Sequence, residues 1–214
     1  MGVPILPPLL NAIEVSDNPN QNAIERVLSQ KAGAGDFFWA RSNTTANVAI
    51  VLEPEVGRAR CLEMVPLTMV AVSDCLAVLL PPQVAIQFRD EKSVVINGGV
   101  VGYVEMAMAA SFQNNVPDWL VISVNLEMVW TQNDGDPGEH PEITVLSEEG
   151  WEDPNFEKFI ETFARHFLSW MVNWSDDGFD AISRAWKFKA ENQCVPDMTI
   201  INEQMKLFGS SNFQ

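Results

Sequence analysis

The chain has 214 residues, enough to bury a core of its own, and reads most simply as one domain. Its 29 acidic and 13 basic side chains leave a formal charge of −16. That balance sets it against nucleic acid and anionic membrane surfaces, which are held by clusters of lysine and arginine. A hydrophobic share of 47%, with seven tryptophans and twelve phenylalanines, excludes a disordered chain.

Cys61, Cys75 and Cys194 form neither a CxxC pair nor a metal-ligand spacing. An odd count without a framework suits a reducing compartment. Residues 1–10 are apolar but short, are interrupted by Pro4, Pro7 and Pro8, and lack the basic lead of a signal peptide. No apolar run is expected to reach the roughly 20 residues of a membrane helix. The expectation is a cytoplasmic protein with no nucleic-acid partner, no membrane partner and no metal.

Residues 6–10 form a proline-fixed, extended lead-in. Ser16, Asp17 and Asn18 before Pro19 signal a helix start, and Ala23, Ile24, Val27 and Leu28 give that helix an apolar face. A loop follows at 31–36, then strands at 37–40 and 48–52 around a polar turn at 42–47. Residues 58–80 carry apolar positions at Leu62, Val65, Met69, Val72, Leu76 and Leu79, a helical spacing. Pro66 predicts either a kink there or a start nearer Val65. Pro81 and Pro82 stop this helix.

Residues 88–108 hold the most telling stretch. A strand at 94–96 meets the turn Asn97-Gly98-Gly99, and a second strand runs from Val100 to Met108. Asn-Gly and Gly-Gly pairs supply the positive backbone dihedrals that a two-residue hairpin needs. Residues 119–128 are continuous in apolar character and then alternate, as an interior strand does. Residues 131–140 read as an acidic surface loop. Asp153-Pro154 predicts a helix start, and Phe156, Phe159, Ile160, Phe163, Phe167, Trp170, Met171 and Trp174 form one broad stripe after it. Asp177-Gly178-Phe179 ends that helix, and a shorter one follows at 180–189.

This order of elements, with Leu6-Pro7-Pro8-Leu9, Leu52-Glu53-Pro54-Glu55, Val116-Pro117-Asp118-Trp119-Leu120-Val121 and Phe163-Ala164-Arg165-His166-Phe167, resembles the biotin/lipoate A/B protein ligase-like family. The likeness runs from about residue 6 to 190. It implies an α+β fold, a mixed and mainly antiparallel sheet packed with helices like the ligase catalytic domain. Residues 1–190 would form that domain and 191–214 a C-terminal tail, too short for the separate barrel of many biotin ligases.

The resemblance implies a reaction that joins biotin, lipoate or octanoate to a lysine of a carrier domain through an acyl-adenylate, with ATP-Mg. The family carries a lysine-tryptophan-proline-asparagine-aspartate segment before the hairpin and a lysine just after its turn. Here those places fall on Asp90, Glu91 and Lys92, and on Val100. The arginine- and glycine-rich loop that the family folds over its adenylate would correspond to Gly33 and Gly35, with only Lys31 and Arg41 as nearby cations. A phosphate site without fixed cations is poor.

The implied ligand pocket comprises Gly33, Gly35, Gly98, Gly99, Val100, Val101, Gly102, Tyr103, Ile122, Ser123 and Asn125. Its acyl part lies between sheet and helices along Val101, Tyr103, Ile122, Val124 and Asn125, with Tyr103 narrowing or filling it. Asn125 is either a satisfied sheet residue or a ligand contact. Lys92 is either a solvated lysine or the cation that acts in place of the missing one. Three functions stay open: a degenerate member that binds a carrier domain or acyl group within a larger assembly, an active ligase, and an acyltransferase with a cysteine nucleophile. The replaced cations favour the first.

Overall fold

The computed structural model describes residues 2–110, 112–113, 115–131, 140–152 and 154–208. Residues 132–139 of the acidic loop and Asp153 lie outside these. The strands are β1 (Asn11–Val15), β2 (Asp36–Ala40), β3 (Thr45–Leu52), β4 (Ile86–Phe88), β5 (Ser93–Ile96), β6 (Gly99–Ala109), β7 (Phe112–Gln113), β8 (Val116–Pro117), β9 (Leu120–Glu127) and β10 (Lys206–Phe208). The helices are α1 (Pro19–Leu28), α2 (Arg58–Cys61), α3 (Met64–Leu79), α4 (Phe156–Asp177), α5 (Asp180–Lys189) and α6 (Met198–Gln204).

One sheet runs in the order β1-β2-β3-β9-β6-β5-β4, with β10 joined to β6. The β1–β2 and β6–β10 pairs are parallel and the remaining ladders of this sheet are antiparallel. This is the mixed, mainly antiparallel α+β architecture expected. β9 lies between β3 and β6, an interior strand as its apolar run required. Asn97 and Gly98 both take positive φ, 50° and 94°, and so turn β5 into β6.

Alternation along the strands divides the sheet into two apolar faces. One packs Phe37, Val48, Ile50, Val104, Met106, Ile122 and Val124 against α3, α4 and α5. On the other face α1 lays Ala23, Ile24 and Val27 over Phe38, Ala49, Val51, Ala107 and Val121. In α4 the ring centroids of Phe159 and Phe163, and of Phe163 and Phe167, lie 5.8 Å apart. Each of those side chains buries about 1.5–3 kcal/mol of transfer energy.

The helix expected over 58–80 is two helices broken at Leu62 and Glu63. Pro66 stands in the first turn of α3, where no intrahelical N–H is lost. The window Arg58–Leu79 is long and apolar enough to cross a membrane by length and composition, contrary to the expectation that no run is. Its apolar excess has another use here: 72% of its most apolar 18-residue stretch is buried inside the protein, between the sheet and α4 and α5. Helix α4 is capped by Asn155, whose side chain accepts from the Lys158 N–H, two residues beyond the cap expected at Asp153.

Candidate functional site

Helix α1 covers only part of its face of the sheet. Cross-strand register places Asn47, Asn125, Tyr103 and Ser93 in one row over β3, β9, β6 and β5. Ala49, Ser123 and Glu105 form the next row, at the edge of the helix. Asn125 and Glu105 are exposed, Asn47 is half-buried, and Tyr103 keeps 41% of its surface open. The uncovered half of the α1 face is thus a polar floor in a sheet otherwise lined by aliphatic residues.

Lys92 reaches this floor from the start of β5. The Asp90 carboxylate accepts the N–H groups of Lys92 and Ser93 at 3.0 and 2.7 Å, and the Ser93 hydroxyl at 2.9 Å. That closed turn sets the direction in which the Lys92 side chain leaves the backbone. Its ammonium lies 5.8 Å from the Tyr103 ring centroid, and among the described residues it forms no ion pair.

The expected pocket residues are divided between two faces. Val101, Ile122 and Val124 belong to the core beneath α3, α4 and α5, whereas Tyr103, Ser123 and Asn125 point the other way. They line no single cavity, and Tyr103, exposed beside Lys92, neither narrows nor fills a pocket between sheet and helices. Val100 pairs with Val95 on the face of Ser93 and Tyr103, so an isopropyl group stands where the resemblance puts an ammonium.

Gly98 serves the hairpin turn. A Cβ on Gly99 would come within 2.9 Å of the Thr144 Cβ, and one on Gly102 within 2.0 Å of the Asn125 carbonyl oxygen. Gly99 and Gly102 therefore have a steric reason to be glycine, and Gly98 a backbone one in its φ of 94°. Gly33 and Gly35 lie at the far end of the sheet. The Gly35 N–H donates to the Val51 carbonyl, whereas the Asn47 row of the open floor lies four residues, about 13 Å, along that strand.

Nor is the 31–36 loop a phosphate cradle. The Gly33 N–H donates to the Asp36 carboxylate at 3.0 Å and the Ala34 N–H to the Glu53 carboxylate at 3.3 Å. The amides that would meet a phosphate already hold the protein's own acids. Arg41 is committed as well, with Nε 2.6 Å and Nη2 3.2 Å from the Glu14 carboxylate and its guanidinium 5.2 Å over the Trp39 ring. Arg89 pairs with Glu191 and donates to the Gly98 carbonyl.

A family sequence model, that of the biotin/lipoate A/B protein ligase family, matches residues 6–188. The chain belongs to that family. A biotin–[acetyl-CoA-carboxylase] ligase of Paracoccus denitrificans is 26% identical over 142 residues, covering 66% of this chain and 58% of that protein. The chain thus spans little more than half the length of that relative. A biotin protein ligase-like protein of unknown function from Silicibacter sp. TM1040 shares the fold at a TM-score of 0.79 and 27% identity, covering 88% of this chain and 81% of the other. The biotin protein ligase of Aquifex aeolicus in complex with biotin and ATP superposes at a TM-score of 0.66 with 14% identity, covering 85% and 78% of the two chains, a likeness of fold alone.

The ligase family implies ATP-Mg and biotin or lipoate. The side chains here do not fit a triphosphate: the glycine-loop amides, Arg41 and Arg89 are engaged internally, and Glu105 and Asn125 face the floor. Asn47, Asn125, Tyr103 and Lys92 do offer hydrogen-bonding partners to an uncharged or singly charged group.

A cysteine nucleophile has no support in this ligase-like fold. Cys61 and Cys75 are buried, with thiols donating to the Val56 and Phe159 carbonyls. Burial pushes the Cys61 thiol up to about 11, and it raises that of Cys75 as well. Cys194 is exposed, with its thiol 3.7 Å from the Asn192 carbonyl oxygen.

Proposed function

We propose that this ligase-like protein binds an acyl or biotinyl group, or the carrier domain that bears it, without forming the adenylate. The supporting observation is the internal use of the groups that would hold a phosphate, above all the Gly33 and Ala34 amides bonded to Asp36 and Glu53. Adenylation develops negative charge on the transferring phosphoryl group, and preorganised cations and N–H groups lower that barrier by several kcal/mol. With Val100 in the place of the family lysine, that stabilisation is missing at its most direct point.

The polar floor of Asn47, Asn125 and Tyr103 needs no such cation to hold a neutral head group. The Paracoccus relative carries a carboxylase in its name, and a biotinyl or lipoyl carrier domain is the partner we propose here. A reducing, cytoplasmic setting is the one we propose, and three unpaired cysteines are consistent with it.

A second reading is an active ligase in which Lys92 acts as the cation. It rests on the ammonium standing unpaired over Tyr103 on the open face. One experiment separates the two. Purified protein is incubated with ATP-Mg and biotin, lipoate or octanoate, and acyl-adenylate is sought by mass spectrometry, with Lys92→Ala as control. The expected result is no adenylate with any acid. Adenylate that forms with the native chain and vanishes in Lys92→Ala would replace the first reading by the second.

A further inference from the structure

Helix α5 presents two unlike faces. Ile182 and Trp186 are buried against α3 and β4, with the Trp186 ring 5.7 Å from that of Phe88 and its N–H donating to the Met69 sulfur at 3.5 Å. The opposite face carries Arg184, Lys187 and Phe188, all exposed. Phe188 keeps 88% of its surface open, more than any other large apolar side chain among the described residues. Spacings of three and four residues bring Arg184, Lys187 and Phe188 together on the helix. With Gln193 they wall a depression of about 370 Å³.

This face inverts the charge of the molecule locally. α5 holds three basic residues, Arg184, Lys187 and Lys189, against one acid, Asp180, in a chain of net charge −16. Among the described residues none of the three basic side chains forms an ion pair. Lys187 and Lys189 stand in the last turn, where the helix dipole favours cations. That accounts neither for Arg184 in the middle of the helix nor for an open phenylalanine beside it. Glu191, which follows the helix, is already paired with Arg89.

The patch also adjoins the sheet edge nearest Lys92. β4 is the last strand, and its outer side meets the chain at the bridge from Phe88 to Ala190. Two strand spacings, roughly 10 Å, thus separate Ala190 from β5, at whose start Lys92 stands. A standard interface covers about 800 Å² on each partner, a disc roughly 16 Å in radius. One partner seated on α5 can therefore straddle this edge and reach the open floor.

We propose that the exposed face of α5 is the docking surface for an acidic face of a carrier domain, with Phe188 as its apolar anchor and Arg184 and Lys187 as its counter-charges. This deepens, and rests on, the carrier-domain reading given above. A body of charge −16 repels an acidic partner at long range, so a local positive patch fixes where such a partner lands. Aromatic and arginine side chains are also those that concentrate binding energy in interfaces. A symmetric pairing of two copies through α5 would set like charges against each other.

The test is calorimetric titration of the full chain with the biotinyl carrier domain of acetyl-CoA carboxylase, at low and at high salt. It compares native protein, the double variant Arg184→Glu/Lys187→Glu, Phe188→Ala, and a control of equal net charge, Lys158→Glu/Lys206→Glu, altered outside α5. All five positions are exposed, so the variants should keep the native melting temperature. The expected result is carrier binding that weakens about tenfold or more at low salt in Arg184→Glu/Lys187→Glu, with a smaller loss at high salt. Phe188→Ala should weaken it about tenfold at either salt, and the control should stay within about twofold of native. Binding unchanged in either α5 variant, or lowered as much in the control, overturns the inference and leaves the carrier-domain reading standing. No binding of the carrier domain to the native chain overturns both.

Discussion

The Lys92 ammonium stands over the Tyr103 ring at 5.8 Å, on a face of the sheet where both side chains remain accessible. The pair couples the start of β5 to the middle of β6 across the edge at which the hairpin ends. An exposed cation–π contact contributes about 0.5–1 kcal/mol. Lys92→Ala should therefore lower unfolding free energy by no more than about 1 kcal/mol in a denaturant titration. A larger loss would mean that Lys92 has a structural duty beyond this contact.

Gly102→Ala should be far more costly. Its Cβ would meet the Asn125 carbonyl oxygen at 2.0 Å and the Leu126 Cα at 2.8 Å, both on the adjoining strand β9. Backbone cannot swing aside as a flexible side chain can, so β6 and β9 must separate where they form the centre of the sheet. The expected destabilisation is about 2–4 kcal/mol, at the upper end for overpacking, measured as a fall in the denaturation midpoint. Gly98→Ala, with open space around the added carbon but a φ of 94°, should cost only about 1 kcal/mol of backbone strain.

Thiol chemistry separates the cysteines. Iodoacetamide should label Cys194 in the native protein within minutes and reach Cys61 and Cys75 only as fast as the chain unfolds. Burial lifts the Cys61 thiol from 9.0 to about 11. Between those values the unfolded chain loses this proton while the folded one keeps it, so stability falls as pH rises through that window. Peptide mapping of alkylated protein at pH 8 and pH 9.5 checks the order. Equal labelling of Cys61 and Cys194 at either pH would contradict the burial.

Much of this was legible in local chemistry. The Asn97-Gly98 turn, the Asn18-Pro19 helix start, the stripe of α4 and the interior character of β9 each follow from patterns within a dozen residues. β1 and β10 were not, because each gains its order from a parallel partner far along the chain: β2 for Asn11–Val15 and β6 for Lys206–Phe208. The face of each pocket residue was readable by alternation along β9, where Ile122 and Val124 oppose Ser123 and Asn125. On β6 the register shift opposite Val94 and Val95 breaks that alternation, so Val101 turns inward with Val104. The placing of Gly33 and Gly35 with the hairpin glycines failed for a different reason. Glycine signals a tight backbone, and both Gly35, 2.5 Å from the Leu9 carbonyl oxygen by a notional Cβ, and Gly98 satisfy that at opposite ends of the sheet.

Glu149 offers the sharpest remaining test of how the hairpin is held. Its carboxylate accepts the Asn97 side-chain N–H at 2.6 Å and the Thr144 hydroxyl at 2.6 Å, tying the turn to the segment that pairs with Val100. Both bonds are short and charge-assisted, the kind worth roughly 1.5–3 kcal/mol in total when other costs are counted. Glu149→Ala should remove that amount and raise amide exchange at residues 97–100 before any global unfolding. Glu149→Gln, which keeps one acceptor oxygen, should recover about half of it. Exchange that accelerates equally across β9 would instead mean that the hairpin and the central strands open as one unit, and that the Glu149 latch is not what holds the turn.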